Sequence, residues 1–311
     1  MYEERPPAPD LAARVACHWH QVSESNSTQL VVPDACVDLI WGPGGLFVAG
    51  PDTGPMPTQM AAGDVFVGVR FRPGAAADLF GVPLHTLRDQ RVQLSDLPTA
   101  PLLAPLTTPD PAALAARHAA LAAATRTLLT HLTTPARSAT PARSTASTRP
   151  ADSAAQLADP AACSTTPARL TTPAGLTNPA RLGEPARLGE PARLADPAAP
   201  FIARALRFGR SVSEVARDLG LSERQLHRRS LTAFGYAPKT LQRIVRFQRA
   251  LRLARAGTPL ATVAAEAGYA DQAHLSHEVK RLSGVPLRTL ASPAPSPAQA
   301  PEPRPCRSHS R

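Results

Sequence analysis

Apolar residues fall into two regimes along the chain. Up to about residue 100 they come as short runs: "QLVVP", "CVDLIW", "GLFVAG" and "DVFVGVRF". Each run is rich in β-branched or aromatic residues and bounded by Gly or Pro, the signature of a strand. "PGAAADLFGV" then predicts a short helix after Pro73, stopped at Gly81. "DPAALAARHAALAAATRTLLTHL" predicts an Ala-rich helix over 110–132, with Asp110 as its cap and Pro111 as its first residue. Leu114, Leu121 and Leu128 recur every seven residues, with Leu132 one turn later. Such a stripe can pack on its own domain or pair two chains, and packing within the chain is the commoner use. Residues 14–132 are therefore expected to form a β-rich α+β domain.

The pattern then collapses into a hexad repeat. "PARLTT", "PAGLTN", "PARLGE", "PARLGE" and "PARLAD" run from Pro167 to Asp196. Proline in every copy removes a ladder donor, which argues against a β-helix. Each copy also has one sizeable apolar residue, too little for a core. Residues 133–200 predict a semi-extended, disordered Pro/Ala-rich linker. Residues 291–311 predict a Pro-rich disordered tail.

Helical spacing returns over 201–290, which predicts an all-α domain. "FIARALRF" is one helix. "SVSEVARDLG" is a second, capped by Ser211 or Ser213, with Val212, Val215, Ala216 and Leu219 inside and Gly220 as its stop. "SERQLHRRSLTAF" is a third, capped by Ser222 and ended by Gly235. Two short helices joined by "GL" make a helix-turn-helix, whose second helix suits the DNA major groove. A long helix follows Pro238, and the first pattern then recurs. "PLATVAAEAG" repeats the apolar placing of "SVSEVARDLG", and "DQAHLSHEVKRLSG" repeats "SERQLHRRSLTAFG". The chain thus predicts two helix-turn-helix units joined by one long helix.

Charge sharpens this picture. Residues 201–290 carry 16 Lys and Arg against six Asp and Glu, while 18 of each cancel elsewhere, so the whole net charge of +10 sits in this segment. A localised excess of this kind is the footprint of a polyanion binder. The four cysteines are scattered with no CxxC pair, which argues against a zinc knuckle or a disulfide framework. No signal peptide and no membrane span is expected, and the expected compartment is the cytoplasm.

Residues 201–290 resemble the DNA-binding domain of AraC/XylS-type transcription regulators. The resemblance rests on the tandem units and on Gly268, Tyr269, Asp271, Leu275, Gly284 and Pro286 of the second unit. Two departures stand out. Ser230 and Val279 occupy places where the family has a bulky apolar residue, often Phe, and His277 stands where it often has Arg. Ser230 is expected to weaken packing of the first recognition helix. "VVPDACVDLIWGPGGLFVAGPDTGP" and "VGVRFRPGAAADLFGVP" resemble a poorly characterised N-terminal domain joined to such DNA-binding domains in actinobacterial regulators. The usual motif there is Pro-Asp-Gly-Cys, with Ala35 here replacing the Gly. The resemblance implies a regulatory or ligand-sensing role for that domain.

The candidate base-reading residues are Arg224, Gln225, His227 and Arg228 in the first unit, and Gln272, His274, Ser276 and His277 in the second. Arg can bridge guanine O6 and N7, and Gln can bridge adenine N6 and N7. Lys239, Lys280 and Arg281 are candidate phosphate contacts. Asp34, Asp38, Trp41, Arg70 and Arg72 are candidate ligand-binding residues of the N-terminal domain; two arginines before a helix start could hold an anion. No metal or other cofactor is expected. His274 and His277 lack further ligands, and His18 and His20 share one side of a strand with no later partners in sequence. The expected function is a sequence-specific DNA-binding transcription regulator, not an enzyme. Its expected partner is double-stranded DNA; a small-molecule effector, RNA polymerase and a second copy of the chain are further candidates. The alternatives are a small-molecule enzyme with a DNA-binding appendage and a non-specific architectural DNA binder.

Overall fold

A computed structural model of the chain describes residues 1–107, 113–133 and 196–291. The Asp110 cap, Pro111, nearly all of the hexad linker and the tail from residue 292 lie outside the described residues.

Each of the four apolar runs forms a strand. They correspond to β3 (Ser27–Val31), β4 (Val37–Gly42), β5 (Gly45–Ala49) and β7 (Val65–Phe71). The sequence also forms β1 (Tyr2–Arg5), β2 (Val15–Val22), β6 (Met56–Met60) and β8 (Arg91–Gln93). Six of these make an antiparallel sheet in the order β1-β2-β7-β4-β5-β8, and β3 pairs with β6 in a separate ribbon. Alternation decides what each face buries. Val37, Leu39 and Trp41 of β4 enter the main core, while Ile40 joins Cys17, Trp19 and Ala49 on the opposite face.

Helices α1 (Ala100–Thr107) and α2 (Leu114–Thr133) cover the main core. Leu121 and Leu128 are buried there beside Leu39 and Val69, with Leu114 packed at its margin. The leucine stripe is thus used within the chain.

The expected helix at residues 73–82 is absent; the segment is a run of turns. Gly74 sits at φ 80°, a left-handed conformation that breaks helical propagation. Arg14 then pins the segment, donating to the Ala75 carbonyl at 3.2 Å and to both Asp78 carboxylate oxygens at 2.8 and 3.2 Å. Leu79 and Phe80 are buried without helical geometry.

The C-terminal part is all helix: α3 (Ala199–Arg207), α4 (Val212–Asp218), α5 (Glu223–Phe234), α6 (Pro238–Arg255), α7 (Leu260–Ala267), α8 (Gln272–Ser283) and α9 (Leu287–Ala291). Helix α6 runs between the two units, and its Leu241, Ile244, Phe247 and Leu251 share one core with Leu226, Phe234, Val263, Leu275 and Val279. Ser211 caps α4 and Ser222 caps α5, each in a reciprocal capping box. Ser230 is fully buried with its hydroxyl unpartnered, and Phe234, four residues on, fills the inner face beside it.

The sheet domain docks on this helical core. Val32 and Ala35 pack into it from the turn before β4. Ala35 does so at φ 67°, where glycine would be unstrained, so its methyl reaches the helical core from a strained backbone. Gly74 lies so close to Phe234 that a Cβ would stand 2.7 Å from the ring. At Gly235, which ends α5 at φ 81°, a Cβ would stand 2.5 Å from Pro51 and 3.1 Å from the Leu84 carbonyl oxygen.

Candidate nucleic-acid interface

The capping boxes set which faces the recognition helices present. At the start of α5 the Ser222 hydroxyl accepts from the Gln225 amide at 3.3 Å, and the Gln225 side-chain carbonyl accepts from the Ser222 amide at 2.8 Å. With Leu226, Ser230, Ala233 and Phe234 turned inward, Arg224, Gln225, His227, Arg228 and Arg229 are exposed on the outer face. The cap commits the Gln225 carbonyl oxygen, leaving only its amide group to donate outward. Two-point pairing with adenine needs both ends, so Gln225 reads adenine only by giving up its cap.

The second unit repeats the arrangement. Asp271 caps α8 by accepting from the His274 amide at 2.7 Å. Leu275, Glu278, Val279 and Leu282 face inward. Gln272, Ser276, His277, Lys280 and Arg281 are exposed, as is Lys239 in the first turn of α6. His274 is half-buried: its ring meets Tyr269 edge-on at 5.3 Å, and its Nδ1 accepts from the Ala270 amide at 3.4 Å. The Ser276 hydroxyl donates back to the Gln272 carbonyl at 2.8 Å and keeps its lone pairs for an outside donor.

Two arginines of α6 lock the second unit in place. Arg243 donates through Nε to Glu278 at 2.8 Å and through Nη2 at 3.5 Å. Burial pushes the Glu278 carboxyl up, but the Arg243 bond and charge outweigh this and hold it below its usual value. Arg246 lies 4.5 Å over the Tyr269 ring and donates to the Gly268 carbonyl at 3.3 Å. Three-residue spacing along α6 shows the arginines but not their partners 22 and 35 residues away.

The ligand candidates of the N-terminal domain are paired with each other. Arg70 grips Asp38 with two bonds, at 3.1 and 3.0 Å, and stands 3.5 Å from Asp34 and 3.7 Å from Glu4. Burial pushes the Asp38 carboxyl up against the pull of this guanidinium. Asp34 also accepts from the Cys36 amide at 2.9 Å, closing the turn before β4. Trp41 is a core residue at 3% exposure. Arg72 donates to the Ala12 carbonyl at 2.9 Å, and the helix start expected beside it does not form. The structure brings His18, His20 and His118 together, with ring centres at 6.4 and 5.5 Å from His118. Among the described residues, no group of three His, Cys, Asp or Glu is arranged to hold a metal ion. Nor is any helix among them long and apolar enough to cross a membrane.

The two halves match separate protein families. Residues 215–292 match a family described as a helix-turn-helix domain, and residues 3–93 match a domain of unknown function, DUF6597. No curated protein matches the chain. Among solved structures the chain is similar to ToxT from Vibrio cholerae, at 7% identity and a TM-score of 0.38, over 93% of this chain and 97% of that one. The helix-turn-helix match covers both recognition helices and the helix between them, so the chain carries an AraC-type helix-turn-helix domain over residues 215–292, joined to a DUF6597 domain over residues 3–93.

Proposed function

We propose that the protein binds specific DNA sequences by placing α5 and α8 in successive major grooves, and that its N-terminal domain modulates this binding. The observation that carries the first part is the shared core. One long helix, α6, holds both recognition helices, and each turns its polar, basic-rich face to solvent. On one face of B-DNA, successive major grooves are about 34 Å apart. Arg224, His227 and Arg228 of α5 read bases in this proposal, with Gln225 contributing its amide. Gln272, His274, Ser276 and His277 do so from α8, while Lys239, Lys280 and Arg281 hold phosphate.

Contacts at the ends of both recognition helices support a regulatory role for residues 14–132. Arg88 reaches the Gly235 carbonyl at the end of α5, at 3.4 Å, and Pro55 lies against Gly284 at the end of α8. Any shift of the N-terminal domain would therefore reach both helices of the DNA-binding domain, residues 201–290. The proposal assigns the chain no catalytic role and places its action in the cytoplasm. A small-molecule effector, RNA polymerase and a second copy of the chain are its further proposed partners.

The test is a salt series on the wild type and Arg228→Ala with a selected duplex and a scrambled one. Arg228→Ala is expected to lose about 1–3 kcal/mol of discrimination between the two. Lys280→Ala is expected to weaken both alike and to lower the salt slope by about one unit. Equal affinity of the wild type for every duplex would point instead to an architectural binder. Turnover of a substrate by the chain, lost on Asp34→Ala, would point to an enzyme.

A further inference from the structure

Among the described residues four large apolar side chains are exposed, and they fall in two places. Met1 and Tyr2 stand at the edge strand β1, and Phe201 and Phe208 on and just after α3. Residues seven apart on a helix share a face, so Phe201 and Phe208 look outward together. Arg204 lies between them, 5.8 Å from the centre of the Phe208 ring. Exposed apolar groups with a polar rim mark a contact surface.

Charge divides the two places. Arg207, Arg249 and Arg252 surround Phe208 in a hollow of about 180 Å³. Neither they nor Arg204 have a carboxylate partner among the described residues. Burial, reinforced by Arg207 and Arg249, holds the Arg252 guanidinium below its usual value. The β1 edge is acidic instead. Tyr2 donates to Glu4 at 2.5 Å, Arg5 offsets Glu3, and Glu24 stands 3.9 Å from the Met1 amine. Residues 1–107 hold 11 Asp and Glu against six Arg, a net charge opposite to that of residues 201–290. The hollow is smaller than small-molecule sites of about 300–1,000 Å³, but it suits one protruding side chain. Arg252 stands nine residues after Arg243, about two and a half helical turns. It therefore points away from the side of α6 that holds α8.

We propose that the β1 edge of one copy docks on the α3 face of another, with Tyr2 entering the hollow beside Phe208 and the β1 carboxylates meeting the arginines. The proposal names the surface by which a second copy, a partner proposed above, would bind, and only its DNA arm rests on that reading. Two different patches pair, so the contact runs head to tail. An acidic partner protein would also suit the arginines, but the opposite charge and the matching apolar pair are both present on this chain. The patches are small beside the roughly 20–30 residues a side of a stable interface. The contact is therefore weak in solution and gains when neighbouring copies sit on one duplex.

The test is sedimentation velocity of the full-length chain without DNA, over a concentration series into the high micromolar range. The wild type is expected to gain mass with concentration. Arg207→Glu with Phe208→Ser spoils the α3 face, and Tyr2→Ser with Glu4→Lys spoils the β1 edge. Each double variant alone should associate at least about tenfold more weakly than the wild type. An equal mixture of the two should form a dimer, because each keeps the patch that the other has lost. A melting temperature near that of the wild type shows that a variant is folded, and Arg252→Glu, at an exposed site, replaces the first pair if that pair melts early. A monomeric wild type, variants that associate as the wild type does, or a mixture that stays monomeric would overturn the proposal. Both variants should bind a one-site duplex as the wild type does. Weaker binding by the α3-face variant would make the arginines a phosphate contact and overturn it too. Because the sedimentation contains no DNA, its result stands whether or not the DNA-binding reading does.

Discussion

Gln248, in the middle of the long helix α6, donates its side-chain amide to the Pro33 carbonyl at 2.6 Å, joining residues 215 positions apart. With Ala35 in the helical core and Gly74 against Phe234, this contact makes the two domains pack as one body. Gly74→Ala places a methyl where the ring of Phe234 stands, at a backbone angle that costs alanine about 1 kcal/mol more. The wild type is expected to unfold in one calorimetric transition, and Gly74→Ala in two. A single unchanged transition in the variant would show that the docking is energetically slight.

The Arg243–Glu278 pair should matter more than its surface neighbours. Exposed ion pairs contribute about 0–1 kcal/mol, but Glu278 is nearly buried and takes two bonds from Arg243. Glu278→Ala is expected to cost about 2 kcal/mol, as hydrogen bonds to charged groups do. Urea unfolding measures it. The loss should come with weaker DNA binding by the second unit, since α8 is then held by packing alone.

The helical half was legible because its signals are local. Ser222, Asp271, Gly235 and Gly284 mark helix ends within a few residues of the apolar positions they frame, and the tandem repeat shows the architecture twice. The sheet half was legible only in its apolar runs. Strands β1, β6 and β8 carry few apolar residues and exist because a neighbouring strand supplies their partners. Residues 73–82 read as a helix, yet Gly74 and the Arg14–Asp78 pair bend them into turns. The same holds for the sites. Outward faces of α5 and α8 follow from spacing, whereas Arg70–Asp38 and Arg243–Glu278 depend on contacts between distant segments.

The histidine cluster should make the N-terminal domain acid-sensitive. Burial, together with nearby His20, Arg5 and His18, pushes His118 down to about 4, and burial also lowers His18. An unfolded chain protonates histidine near pH 6.5. Between about pH 6.5 and 4 it therefore binds protons that the folded domain refuses. Stability is full above that window and falls as pH drops through it. Melting temperature against pH should slope less in His118→Gln than in the wild type. Parallel profiles would contradict the assignment.

His277 is exposed on the outer face of α8, where its ring nitrogens can reach a phosphate or a base edge. His277→Ala is expected to weaken binding to a selected duplex by about 1 kcal/mol, the net worth of one hydrogen bond. A gel-shift titration measures it, and an unchanged affinity would make His277 a bystander.

In the proposed function, both recognition helices engage one DNA duplex. Hydroxyl-radical footprinting of the full-length protein on a selected site tests it most directly. Two protected segments centred about one helical turn apart on one face are expected, with Arg228→Ala and His277→Ala each disturbing a different one. A single protected segment, disturbed by only one of the two substitutions, would contradict it.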